Sequence, residues 1–157
     1  MNEKMSSQRP GTTANPSGLY DEDFFEWTRR NAELLRAGQL EYADIEHIAE
    51  EIEDLGKRDL RELDNRSQVL LTHLLKWQFQ PDKRSPSWRR TITAQRARID
   101  RLLQQNPGFQ QKIAAHLTGN YRDAVSLAVI ETGLLRDRFP AECPYTVEQL
   151  LDPEFVP

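Results

Sequence analysis

A single cysteine, Cys143, occurs in the 157 residues, so no intrachain disulfide can form, and a reducing compartment, the cytoplasm, is expected. No apolar run approaches the roughly 20 residues that a membrane-spanning helix needs. The opening MNEKMSSQRPGTTANPSG has no apolar centre of the kind a secretion signal requires and reads as a disordered leader over residues 1–18. Period-two alternation of apolar and polar residues is essentially missing, which removes the sheet-built classes. There is no P-loop, no dinucleotide fingerprint, no HExxH and no GxSxG, and with them go the commonest enzyme classes. No repeat of fixed period is present, nor any low-complexity segment after the leader. A chain of this size still buries about 68–70% of its unfolded surface without staples, enough for one core.

What the sequence does contain is helical spacing. DEDFFEWTRRNAELLRAG offers Asp21 as a cap, apolar Phe24, Trp27, Leu34 and Leu35, and Gly38 just past the end. From Asp44, the residues Ile45, Ile48, Ile52 and Leu55 step by three, four and three, which predicts a helix burying that stripe. Gly56 falls in the five-residue gap before Leu60, where a kink or brief interruption is expected. The pattern resumes through Leu63, Leu70, Leu74 and Trp77 and stops before Pro81. Ser85 and Pro86 start another helix that carries Trp88, Ile92, Ile99, Leu102 and Leu103. A helix from about Phe109 is expected to pause at Gly119, and NYRDAVSLAVIETG to lie centrally in the core, ending at a left-handed Gly133. TVEQLL fits a capping box from Thr146 to Gln149.

Charge is uneven. Tyr20 to Asp64 holds fifteen acids and six bases, a balance of −9, whereas Asn65 to Arg101 holds nine bases and two acids, a balance of +7. Opposite charges on neighbouring helices are expected to satisfy each other within the fold, ahead of an anionic partner.

The motifs YDEDFFEWT, LLRAGQ, IAEEIEDLG, LLTHLLKWQFQP, SWRRTITAQR, ETGL and CPYTVEQLLDPEF occur in order between Leu19 and Pro157. In them the chain resembles the bacterial and cyanobacterial family described as domain of unknown function 29. The resemblance implies an all-helical, bundle-like domain making up nearly the whole chain. It implies no activity and carries over no functional residues.

Three constellations are candidates for chemistry. In HIAEEIEDLG, His47 and Glu51 lie on a ridge with Asp44 and Asp54, a spacing at which one imidazole and carboxylates can share a cation. At about 100° per residue, His47 falls roughly 90° or more from the isoleucine stripe and faces outward. The Glu-x-x-His pair of di-iron bundles is repeated on a second helix and points inward. Here it occurs once, so a solvated acidic face is favoured, with Asp44 as N-cap. His73 is better placed, flanking the stripe of Leu70, Leu74 and Trp77. Its ordinary role would be donation to a carbonyl or carboxylate, and a metal site arises only if His47 or Glu51 approaches it. His116 is a weaker case of the same kind. The basic segment with Lys76, Lys83, Arg84, Arg89, Arg90, Arg96, Arg98 and Arg101 is the third candidate, since cations at a helix start hold anions. Trp88 shares a side with Ile92 and reads as core, and the arginines as solvated or paired with the acidic helix. Cys143, before a proline, reads as a structural thiol, and Glu131 as a surface or capping-region charge.

The expectation is therefore an all-α, single-domain, helical bundle-like fold over residues 19–157, with short terminal helices. The function expected is protein interaction or regulation through a protein partner, a second copy of the chain included, with no membrane involved. Absent motifs weigh against an enzyme. The alternative is a metal-binding protein or metal-dependent enzyme using a divalent ion on His73 with His47 and Glu51; otherwise no cofactor is expected. A second alternative, less favoured where nucleic acid is concerned, is anion or nucleic-acid binding through segment 83–101, chiefly Arg84, Arg89, Arg90 and Arg96.

Overall fold

The computed structural model describes residues 16–157, with side chains from residue 18 onward. Its helices are α1 (Pro16–Glu22), α2 (Phe24–Arg36), α3 (Ile45–Phe79), α4 (Pro86–Gln105), α5 (Phe109–Thr132) and α6 (Val147–Leu151). Single 3-10 turns occupy Leu40–Tyr42, Pro81–Lys83 and Arg136–Arg138. Among the described residues there is no strand, and no helix is long and apolar enough to cross a membrane. The fold is all-α, as the periodicity predicts. Most of the expected leader lies outside the described residues, and its last three positions open α1.

Internal contacts divide the chain into two compact units, one ending at Leu55 and the other running Gly56–Pro157. In the first unit, Asp23 rather than Asp21 caps α2, accepting from the Glu26 backbone N–H at 3.0 Å. Asp21 is unavailable because α1 continues through it to Glu22. At the other end, Gly38 takes the left-handed conformation, φ 69°. Its N–H donates to the Leu35 carbonyl, and that of Gln39 to the Leu34 carbonyl, so the last turn of α2 is closed by a Schellman motif.

The second unit holds the apolar core. α3 contributes Leu63, Leu70, Leu71, Leu74 and Leu75, α4 contributes Ile92, Ile99 and Leu102, and α5 contributes Ile113, Tyr121, Val125 and two fully buried alanines, Ala124 and Ala128. The paired leucines at 70/71 and 74/75 give α3 a wide buried face, so neighbours pack on both sides of one ridge. Phe139, Tyr145 and Leu150 from the C-terminal segment complete the core. The predicted caps are present here: Ser85 accepts from the Trp88 N–H, Pro86 opens α4, Thr146 and Gln149 form the capping box, and Gly133 is left-handed.

The interruptions expected at Gly56 and Gly119 do not occur. α3 runs through Gly56 and α5 through Gly119 without interruption. A helical glycine costs about 1 kcal/mol against alanine, which is less than the penalty of nucleating a new helix on either side. α5 is also not central. Leu127 and Ile130 are exposed while Tyr121, Ala124, Val125 and Ala128 are buried, so this apolar helix covers one side of the core.

Candidate functional site

The first unit is built around a polar tie rather than an apolar plug. Trp27 and Asn31 stand one turn apart on α2, and both are buried. The Trp27 indole Nε1 donates to Asp44 Oδ2 at 3.0 Å. Asn31 donates to the Trp27 carbonyl at 2.9 Å and accepts from the Asp44 backbone N–H at 2.8 Å. His47 Nδ1 lies 2.7 Å from the same Asp44 Oδ2. Its ring stacks on Tyr20 of α1, centroids 4.0 Å apart and planes 17° from parallel. Tyr20 in turn donates its hydroxyl to Glu51 Oε1 at 2.6 Å and meets Trp27 edge-on at 5.0 Å.

Burial alone would raise the Asp44 carboxyl, but hydrogen bonds from Trp27, from His47 and from the His47 backbone N–H, with the imidazole's charge, hold it below its usual value. The hydrogen bond to Asp44 raises His47 in turn. The Glu51 hydrogen bond, followed by burial, pushes Tyr20 up to about 12. An imidazolium held by a carboxylate is a poor base, and a phenol with so high a value is no nucleophile near neutral pH. The cluster works as a clamp between α1, α2 and α3.

This clamp reverses the face expected for the start of α3. Asp44, His47 and Glu51 are covered, whereas Ile45, Ile52 and Leu55 are 47%, 63% and 53% exposed. His47 is half-buried rather than outward. The cause lies in α2. Once Trp27 and Asn31 are buried, their polar groups need partners, and leaving a buried donor unmet costs about 1–3 kcal/mol. Asp44 supplies the partner, so the polar ridge turns inward and Ile45 and Ile52 turn out, with Ile48 half-buried between the two. Spacing shows that a stripe exists, but not which side a neighbour takes.

The remaining candidates sit as follows. His73, in the second unit, has Nδ1 2.9 Å from the Val69 carbonyl, and burial lowers its pKa. His47 and Glu51 belong to the first unit. No group of three or more His, Cys, Asp or Glu among the described residues is arranged to hold a metal. Arg84 donates from Nε to the Trp77 carbonyl at 2.9 Å, and its guanidinium lies 5.2 Å from the Trp77 ring centroid. Arg89 lies 5.9 Å from the same ring, and Arg90 is exposed. Arg96 is buried, donating to the carbonyls of Leu150 at 2.8 Å and Gln149 at 3.2 Å, where it ties the end of α6 to α4. Arg84 and Arg89 thus lie against the Trp77 ring, and Arg96 donates to backbone carbonyls. Lys76 pairs with Glu131 at 2.6 Å, with its ammonium 4.7 Å from the Trp88 ring centroid. Trp88 is thus a half-buried lid on a charge rather than core.

Two features escape sequence reasoning. Asp64 accepts from Asn120 at 2.9 Å and lies 3.0 Å from His116 Nδ1, while Gln68 donates to Asn120 and Asp123, a polar seam between α3 and α5. Its members lie more than fifty positions apart in sequence, with no local signal joining them. An open groove of about 1110 Å³ runs beside α5, lined by Tyr121, Arg122, Arg136, Phe139 and Cys143 among others. Burial raises the Cys143 thiol, which suits a structural role.

An all-α protein, in which a buried polar clamp leaves an apolar helix face in solvent, is the class these features define. The chain belongs to the family described as domain of unknown function DUF29, whose model matches residues 19–156. Neither curated proteins nor solved structures offer a match.

Proposed function

We propose that the protein is an interaction module that docks a protein partner on the apolar face of α3 in the first unit. The observation that supports this reading is the exposure of Ile45, Ile52 and Leu55 beside a clamp that fixes their orientation. Exposed isoleucines scattered singly need no explanation, but a contiguous row held outward marks a contact surface. Covering one such side chain contributes about 1.5–3 kcal/mol. Of the residues the metal and anion readings draw on, His47, Glu51, His73, Arg84 and Arg96 already bond within the chain, Arg89 lies against the Trp77 ring, and Arg90 is exposed.

A photo-crosslinking residue tests the proposal. With Ile52→p-benzoylphenylalanine expressed in the cells that make the protein, illumination is expected to give a discrete protein adduct. The same residue at Lys112, exposed on α5, is expected to give none. Equal labelling at both positions, or no adduct at position 52, would refute the docking face.

A further inference from the structure

We infer that α1 is a pH-sensitive strap, closed over the start of α3 while the His47 imidazole is protonated and released when it becomes neutral. The strap acts on the polar ridge of α3, and so goes beyond the docking reading, which concerns the apolar row.

The placement of charge comes first. α1, PSGLYDE, carries two acids and no base, and from Asp44 to Leu55 every ionisable residue except His47 is an acid. Two acidic segments laid against each other repel unless a cation stands between them. His47 is the side chain that stands there. Its Nδ1 lies 2.7 Å from Asp44 Oδ2, and its ring stacks on Tyr20 of α1 with centroids 4.0 Å apart. The carboxylates that face it come from three places: Asp44 in the turn before α3, Glu50 on α3 and Asp21 on α1. α2 contributes the uncharged Trp27 ring, edge-on at 6.5 Å.

Protonation then decides closure. An imidazolium over the face of a phenol gains cation–π attraction, and its charge-assisted hydrogen bond to Asp44 is roughly twice as strong as a neutral one. Loss of the proton removes both and leaves Asp21 of α1 and Glu50 of α3 beside a neutral ring. The remaining link, from the Tyr20 hydroxyl to Glu51 at 2.6 Å, does not titrate near neutrality, because that hydrogen bond pushes the phenol up to about 12. His47 is raised above its usual 6.5, chiefly by the hydrogen bond to Asp44. The closed strap is therefore fully favoured below 6.5 and is lost as pH rises through the raised value. Release uncovers His47 and Glu51, so the start of α3 presents a different polar surface on the alkaline side of the transition.

The test uses the full chain with a nitroxide on Gly18→Cys, in a Cys143→Ser background so that position 18 carries the only thiol. Nothing lies within 4 Å of a Cβ added at Gly18. Paramagnetic broadening of the Glu50 and Glu51 amide signals reads closure, and the His47 ring carbon signals read its protonation in the same samples. Between about pH 5.5 and about pH 9, the ratio of open to closed strap is expected to rise about tenfold, in step with the His47 titration. His47→Gln should give weak broadening that does not vary with pH. Asp21→Asn, at an exposed position, should lower the His47 midpoint and shrink the change. Circular dichroism and melting check that each variant is folded; if His47→Gln is not, Asp21→Asn carries the test. Broadening that stays constant across the range in the parent chain overturns the strap. So does a pH dependence that survives His47→Gln, or one that Asp21→Asn leaves unaltered.

Discussion

Asp44 is the residue on which the first unit turns, because its carboxylate serves the Trp27 indole and the His47 imidazole at once. The pH dependence of this pair follows from its shifts. His47 is raised above its usual 6.5, so it binds its proton more tightly folded than unfolded. Its stabilisation is complete below 6.5 and is lost as pH rises through the raised folded value. Asp44 is held below its usual 3.8, so its contribution is present above 3.8 and is lost as pH falls through the lowered value. The pair is strongest between these limits. Melting of the wild type and of His47→Gln, compared from about pH 5 to about pH 9, is expected to show a wild-type advantage at the acid end that shrinks with rising pH. A constant difference would mean that the imidazole's charge contributes nothing. The ridge of Asp44, His47 and Glu51 was legible in the sequence as a set of neighbours on one helix face. Its burial was not, because that depends on Trp27 and Asn31 arriving from another helix.

At the scale of elements, caps and stops were the most legible features, since each is a contract among residues a few positions apart. Ser85 with Pro86, Thr146 with Gln149, and the left-handed glycines Gly38 and Gly133 illustrate it. Glycines inside helices were not legible in the same way, because one weak residue does not break a helix whose neighbours on both sides favour it. Gly56 and Gly38 therefore respond differently to alanine. Gly56 is exposed and helical, and nothing lies within 4 Å of an added Cβ, so Gly56→Ala is expected to stabilise by about 0.5–1 kcal/mol. Gly38, at φ 69°, has equal space but a backbone that disfavours any side chain, and Gly38→Ala is expected to destabilise by about 1 kcal/mol. Urea denaturation of the two variants gives both signs, and a stabilised Gly38→Ala would contradict the account.

At the scale of the molecule, the two units differ in what holds them. The second has a contiguous core of leucines, isoleucines, alanines and aromatics drawn from α3, α4, α5 and the C-terminal segment. The buried residues of the first, among those described, are Trp27, Asn31 and Asp44, so its cohesion rests on a few hydrogen bonds and ring contacts. Opening free energy follows the apolar surface each region buries. Native-state hydrogen exchange is expected to show α2 amides exchanging well before those of α3 between Leu70 and Leu75, and before those of α5 around Ala124. A single shared opening free energy would show that the two units unfold as one.

By itself the sequence determined the all-α class, most helix ends and the existence of a heptad-spaced apolar stripe, because each depends on residues within one or two turns. It also carried the family resemblance along almost the whole chain. Only the tertiary structure decided which side of that stripe is covered. An amphipathic helix has two faces, and the choice between them belongs to whichever neighbour has buried polar groups to satisfy; here that neighbour is α2, whose tryptophan and asparagine draw Asp44 inward and leave Ile45 and Ile52 exposed.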